Sequence, residues 1–314
     1  MSTLRRLLAP LLIMLVLSGC ADDAEPLRLG AVLWPGYEPL FLARSQGYLD
    51  EEQIGLVELM SAGEVMRGFR NGALDLAALT LDEVLLLAQD VDDLQILLVT
   101  DTSYGADAIL ASKAITMAQL KGQRVGVDST ALGAYFLSRA LAVSGMRESD
   151  IQLVTLSVDM HENAFLKGEV DAVVTFEPVR SKLMAKGASE VFSSRDIPNE
   201  IIDLLVVRGA ILKDRKESVR HLVDAWYQGV GFLQQQPQQA YGVMSGRLGL
   251  SELQIAAALE GLSIPGRSQV RDMLYDKGEI RAQAERLESI MSKEGLLSQD
   301  VNLDDIVADQ DLWD

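Results

Sequence analysis

Short apolar runs alternate with helical stretches from residue 27 to about residue 210. Leu27–Leu33 (LRLGAVL) alternates apolar with polar and then turns continuously apolar, as a strand entering a core does. Pro35–Gln46 follows with helical spacing, and Gly47 stops it. The succession repeats as strand 56–59, helix 63–71, buried strand 74–79 (LDLAAL), helix 81–89 and buried strand 94–99 (LQILLV). A second set places strands at 108–111, 124–127, 151–156 and 170–175. Its helices fall at 131–144, 160–167 and 178–186, the last opening on Pro178, which suits a first helical turn. Leu204–Val207 is strand-like again. After about Lys213 the pattern is helical only, over 214–235, 238–247, 251–261, 267–276 and 279–293.

Strand–helix–strand order with short connections predicts right-handed crossovers and mostly parallel sheets. The expected architecture is α/β with two lobes. Residues 27–103 and 208–314 form lobe 1, and 104–207 form lobe 2. Crossings near Asp101–Gly105 and Ile202–Arg208 act as hinges. Such a layout puts a ligand in the cleft, where strand ends and helix starts converge.

The first twenty residues, MSTLRRLLAPLLIMLVLSGC, have a different logic. Arg5 and Arg6 precede an apolar stretch, Leu7–Leu17, that is shorter than the ~20 residues a membrane span needs and fits a signal peptide. Leu17-Ser18-Gly19-Cys20 resembles the lipobox of bacterial lipoproteins. Residues 1–19 are read as the signal peptide, Cys20 as the lipidated residue and 20–26 as a polar tether. Lipid chains contribute ~0.8 kcal/mol per buried CH2, enough in pairs for stable anchoring to a bilayer. The expected place is the cell envelope, on the periplasmic face of the inner or outer membrane.

Composition narrows the function. The chain has 314 residues, 46 acidic and 28 basic, with a net charge of −18. That balance argues against nucleic acid, whose phosphates need clustered Lys and Arg. An apolar share of 48% supports a packed core. Cys20 is the single cysteine, so no internal disulfide, CxxC pair or cysteine zinc site is expected. With two histidines besides, no metal and no cofactor are expected. His161 reads as a surface or capping residue and His221 as structural.

Several segments together are similar to a known family. They are Trp34-Pro35-Gly36-Tyr37-Glu38-Pro39 followed by LFLARSQGYL, Ala78–Glu83 (ALTLDE), Asp101–Asp107 (DTSYGAD), Leu120–Val127 (LKGQRVGV) and Val173–Pro178 (VVTFEP). The chain resembles the substrate-binding lipoproteins of ABC importers in the nitrate/sulfonate/taurine group, which includes thiamine-precursor binders. The resemblance implies a type II periplasmic-binding-protein fold that closes on a small molecule and presents it to a permease with its ATPase.

The same loops are candidate ligand contacts on their own chemistry. Trp34 and Tyr37 offer flat surfaces at a strand end, Gly36 permits close backbone approach, and Glu38 adds a carboxylate. Thr80 caps a helix whose first turn holds Asp82. Ser103 and Asp107 flank the first hinge. Ser129 and Thr130 precede a helix with free N–H groups. Phe176 and Glu177 occupy the equivalent place one crossover later, where Glu177 serves either as a contact or as a helix cap. These loops carry carboxylates and no Arg or Lys. That favours an amine or nitrogen heterocycle over nitrate or sulfonate, which need donors. A sensory lipoprotein signalling to a membrane kinase or cyclase is the alternative. The chain is expected not to be an enzyme, since no phosphate loop, G-x-S-x-G or HExxH occurs. The acidic tail, Gln299–Asp314, reads as a solvated extension unless Leu303, Ile306 and Trp313 dock it.

Overall fold

The computed structural model describes residues 25–113, 115–303 and 306–313. The expectations on the signal peptide, on Cys20 and on most of the tether lie outside the described residues. From Leu27 the chain lays down β1 (Leu27–Ala31), α1 (Glu38–Ser45), β2 (Ile54–Glu58), α2 (Ala62–Arg70), β3 (Leu76–Thr80), α3 (Leu81–Ala88) and β4 (Leu94–Ser103). It then builds β5 (Asp107–Ala111), β6 (Arg124–Val127), α4 (Ala131–Val143), β7 (Gln152–Thr155), α5 (Val158–Leu166), β8 (Ala172–Phe176), α6 (Val179–Ala185) and β9 (Ser189–Ser193). It returns through β10 (Ile202–Arg208) and continues as α7 (Gly209–Asp214), α8 (Lys216–Gln235), α9 (Pro237–Leu248), α10 (Glu252–Leu259), β11 (Leu262–Ser263), α11 (Arg267–Arg271) and α12 (Glu279–Lys293).

Two sheets result, ordered β11-β4-β10-β3-β1-β2 and β7-β6-β8-β5-β9. Each is mixed, which corrects the expectation of mostly parallel sheets. β1 pairs in parallel with β2 and β3, but β10 runs antiparallel between β3 and β4. In the second sheet β6 pairs in parallel with β7 and β8, whereas β5 is antiparallel to β8 and β9. The antiparallel strands are the ones that carry the chain between lobes: β4 leaves, β5 arrives, and β10 comes back. A strand entering from the other lobe is not constrained by a βαβ crossover.

The second crossing also falls earlier than the apolar run suggested. Ile202–Arg208 is a buried strand of the first sheet, so the return lies between Ser193 and Ile202. Two strands escaped the sequence pattern. β9 is short and polar (SEVFS), and β11 has two residues.

The acidic tail is docked rather than solvated. Ile96 N–H donates to Ile306 O at 2.6 Å, and Ala308 N–H donates to Ile96 O at 2.9 Å. Ile306, Leu312 and Trp313 are buried, and Trp313 lies 5.9 Å from the Tyr227 ring. Composition hid this because apolar residues alternate with the acids, so one edge of the segment faces the core.

Two ties hold the crossings together. Ser103 Oγ lies 2.8 Å from Ser194 Oγ, which also accepts from Gly105 N–H at 2.5 Å. Gly105 has φ +112°, and a Cβ there would sit 2.2 Å from the Arg195 guanidinium, so glycine is required on both counts. Among the described residues, no helix is long and apolar enough to cross a membrane.

Candidate functional site

A cavity of about 230 Å³ opens between the lobes. The first lobe supplies strand-end segments: Trp34 and Tyr37 after β1, Glu58–Ala62 after β2, Thr80 and Glu83 after β3, and Asp203 on β10. The second lobe supplies Asp107 on β5, Asp128 and Thr130 before α4, Asp159 on α5, and Phe176 and Lys182 around the start of α6. Most of these side chains sit just beyond the carboxyl end of a strand, where the following helix begins. That is where open α/β sheets expose ligand-binding groups.

The floor is acidic and buried. Tyr37 OH donates to Asp203 Oδ1 at 2.5 Å, and Trp34 Nε1–H donates to Asp101 Oδ2 at 3.2 Å. Thr80 N–H donates to Glu83 Oε2 at 3.1 Å, which secures the start of α3. Asp107 Oδ2, Asp203 Oδ2, Asp101 Oδ1 and Thr80 Oγ1 are buried with no hydrogen-bond partner. Burial pushes the Asp107 carboxyl up to about 7. It likewise raises Glu83, Asp101 and Asp203, with neighbouring carboxylates adding to the shift of Glu83 and Asp203. Buried acceptors left unpaired are costly, and several around one cavity point to a donor-rich occupant.

The profile of the NMT1-like family matches residues 21–244. The chain belongs to the NMT1-like family. An Escherichia coli (strain K12) protein named for aliphatic sulfonate binding is 24% identical over 247 residues, 76% of each chain. The alkanesulfonate-binding protein SsuA from Xanthomonas axonopodis pv. citri, solved with MOPS, superposes with a TM-score of 0.76 at 20% identity, covering 91% of this chain and 99% of that one. The ligand-binding component of an ABC-type import system from Staphylococcus aureus, solved with zinc, gives a TM-score of 0.75 at 13% identity, covering 92% and 98%. The fold is that of the periplasmic binding proteins.

In this NMT1-like chain, six of the sequence-predicted site residues line the cavity: Trp34, Tyr37, Thr80, Asp107, Thr130 and Phe176. The other six lie around it in different settings. A Cβ on Gly36 would sit 1.9 Å from Asp101 Oδ2, so its smallness makes room for the Trp34–Asp101 bond. Glu38 is fully buried behind the wall and held by Arg247 Nε at 3.0 and 3.2 Å. Burial raises its carboxyl to about 7, with Arg247 pulling the other way. Arg247 also lies 3.4 Å above the Phe41 ring and reaches the cavity residue Glu58 at 2.5 Å. Asp82 is buried with Oδ2 unpartnered, Ser103 belongs to the hinge tie, and Ser129 is exposed. Glu177 accepts from Ser181 N–H at 3.1 Å and Ser181 Oγ at 3.0 Å, and it pairs with Arg180 at 3.0 Å. Its carboxyl is used in capping α6.

Sequence reasoning passed over Asp203 and Lys182. Asp203 had a signal, being a lone acid near the start of the apolar run IIDLLVV. Lys182 had none, because only the orientation of α6 turns it toward the cleft. His161 is buried rather than at the surface. Its Nδ1 lies 3.2 Å from Thr175 Oγ1, and burial lowers it to about 4, so the ring is neutral near pH 7. His221 Nε2 accepts from Asp50 N–H at 3.0 Å, a structural bond that ties α8 to the loop before β2.

Proposed function

We propose that the chain is the solute-binding component of an ABC importer, capturing a small cationic or nitrogen-rich molecule between its lobes for a membrane permease with its ATPase. The observation that carries this reading is the interlobe cavity whose buried acids, Asp107 and Asp203, each keep an unpartnered oxygen. Six carboxyls line that cavity (Glu58, Glu83, Asp107, Asp128, Asp159 and Asp203) against one ammonium, Lys182. Trp34, Tyr37 and Phe176 add flat apolar walls, so a ring bearing N–H donors matches both kinds of surface. The volume is below the ~300–1,000 Å³ of sites for drug-sized ligands, which favours a small metabolite. Relatives named for sulfonate binding support the transport role, while the acidic floor of this chain favours the opposite charge. Lipidation at Cys20 would hold the protein at the periplasmic face of the inner or outer membrane.

Calorimetry on the mature chain, using benzamidine as a flat cation and ethanesulfonate as an anion, tests the ligand class. Saturable one-to-one binding of benzamidine with none of ethanesulfonate is expected. Binding of ethanesulfonate alone would reject the cationic reading. Mass spectrometry of material co-purifying with the protein then identifies the natural solute.

A further inference from the structure

Asp101 and Asp203 face each other directly across the antiparallel pair of β4 and β10. They are 0% and 3% exposed. Each carboxyl spends one oxygen on neutral donors. Asp203 Oδ1 takes the Tyr37 hydroxyl, and Asp101 Oδ2 takes the Trp34 indole N–H and the Thr100 hydroxyl, the last at 3.3 Å. The second oxygen of each, Asp101 Oδ1 and Asp203 Oδ2, has no partner. The titratable groups that bear on the pair are Tyr37 from the segment after β1, Glu83 from the start of α3 and Asp107 from β5. All are acidic. The basic side chain lining the cavity, Lys182 on α6, makes no ion pair with either carboxyl. Two buried carboxylates on facing strand positions without a counter-charge do not both stay ionised. A proton held by either one removes the repulsion. Asp203 lines the cavity and Asp101 stands behind it, so Asp101 acts through Asp203 as a positioning residue.

We propose that the Asp101–Asp203 pair holds one proton in the empty site and releases it when the cationic end of the solute docks on Asp203, so that binding exchanges one cation for one proton. This rests on the cationic reading of the solute given above. The carboxyl O–H breaks and its proton leaves to solvent. The pair goes from one negative charge to two, the solute brings one positive charge, and the net charge of the site is unchanged. Capture is therefore favoured at neutral or alkaline pH and weakened by acid, even for a solute that does not itself titrate.

Benzamidine is a suitable probe because its amidinium stays charged throughout. Its binding heat, measured on the full mature chain near pH 7 in phosphate and in Tris, reads the protons released directly. About one proton per benzamidine is expected, with affinity falling up to about tenfold per pH unit below neutrality. Asp101→Asn keeps an acceptor for Trp34 and removes the neighbouring charge that helps hold a proton on Asp203, although burial of Asp203 remains. This variant is expected to release fewer protons per benzamidine than the unaltered protein and to bind with a shallower pH dependence from about pH 5.5 to about pH 8. A merely structural role for Asp101 would lower affinity equally at every pH and leave proton release intact. Binding with identical heats in both buffers overturns the exchange while leaving the cationic reading standing. If benzamidine does not bind, the cationic reading fails by that result, and infrared spectroscopy of the empty protein decides whether the pair holds a proton. A protonated-carboxyl band near pH 7 that loses intensity in Asp101→Asn supports it, and a band unchanged by the substitution overturns it.

Discussion

Trp34 of the first lobe and Phe176 of the second meet edge to face, with ring centroids 6.0 Å apart and an interplanar angle of 78°. Both line the cavity, and the indole N–H of Trp34 is anchored on Asp101. The contact therefore joins three things at one point: the wall of the site, its acidic floor and the meeting of the lobes. Edge-to-face pairs contribute about 0.5–1.5 kcal/mol beyond the area they bury.

Replacing Phe176 by Ala should weaken benzamidine binding by roughly tenfold or more, because the ring wall and the interlobe contact go together. Calorimetry gives the affinity. Tryptophan fluorescence supplies a second reading, since the change on ligand addition should shrink when Trp34 no longer meets Phe176. An unchanged affinity would place the bound ring elsewhere.

Arg247 neutralises Glu38, stacks on Phe41 and holds Glu58. Arg247→Met should cost about 3–5 kcal/mol near pH 8, the usual effect of stranding a buried charge. The cost should shrink near pH 5, where Glu38 takes up a proton. Glu38→Gln in the same chain should recover much of the loss. Urea unfolding of the single and double variants at both pH values checks this.

The empty protein should be most stable on the acid side of neutrality. Asp107 and Glu38 are raised to about 7 by burial, so between pH 4 and 7 the folded state holds protons that the unfolded state has lost. Their contribution is complete below the unfolded carboxylate range and disappears as pH rises through about 7. Asp171, held low by its bond to Arg124, acts in the opposite sense and loses its contribution in strong acid. Melting temperature should therefore fall from about pH 5 to about pH 8, and saturating benzamidine should reduce that slope.

Ile306→Asp should lower stability by about 2–4 kcal/mol, since it puts a carboxylate into the apolar seam beside Ile96. Benzamidine affinity in the folded fraction should be unchanged, because the tail lies away from the cavity lining. Urea midpoints and calorimetry separate the two effects.

Much of this was legible in the chain. Continuous apolar runs such as LDLAAL and LQILLV specify buried strands with little help from context. Loops at strand ends mark a site wherever the strands are correctly placed, which singles out Trp34, Thr80 and Phe176, and the glycine hinge singles out Asp107. Strand direction was not legible, because a period of two is the same read forward or backward. Hence β10 revealed its burial but not its antiparallel pairing. Glu38 and Glu177 show the other limit. A carboxylate at a helix start has the same local sequence whether it faces a cleft or turns inward. Arg247, remote in the chain, settles that choice for Glu38, and Arg180 with Ser181 settles it for Glu177.

Ser103 N–H donates to Ile201 O at 3.0 Å, and Thr102 stands opposite Ile202. β4 and β10 are therefore the two arms of a hairpin, and everything from Tyr104 to Glu200 replaces its turn. The second lobe is an excursion hung from a single tight bend, while β1 and the C-terminal segment both stay with the parent sheet. Rotation of the excursion about that bend would leave the parent sheet intact and would part the apolar contacts the lobes share, Trp34 with Phe176 among them. The parent body can stay still against a fixed support while the insert swings over the solute.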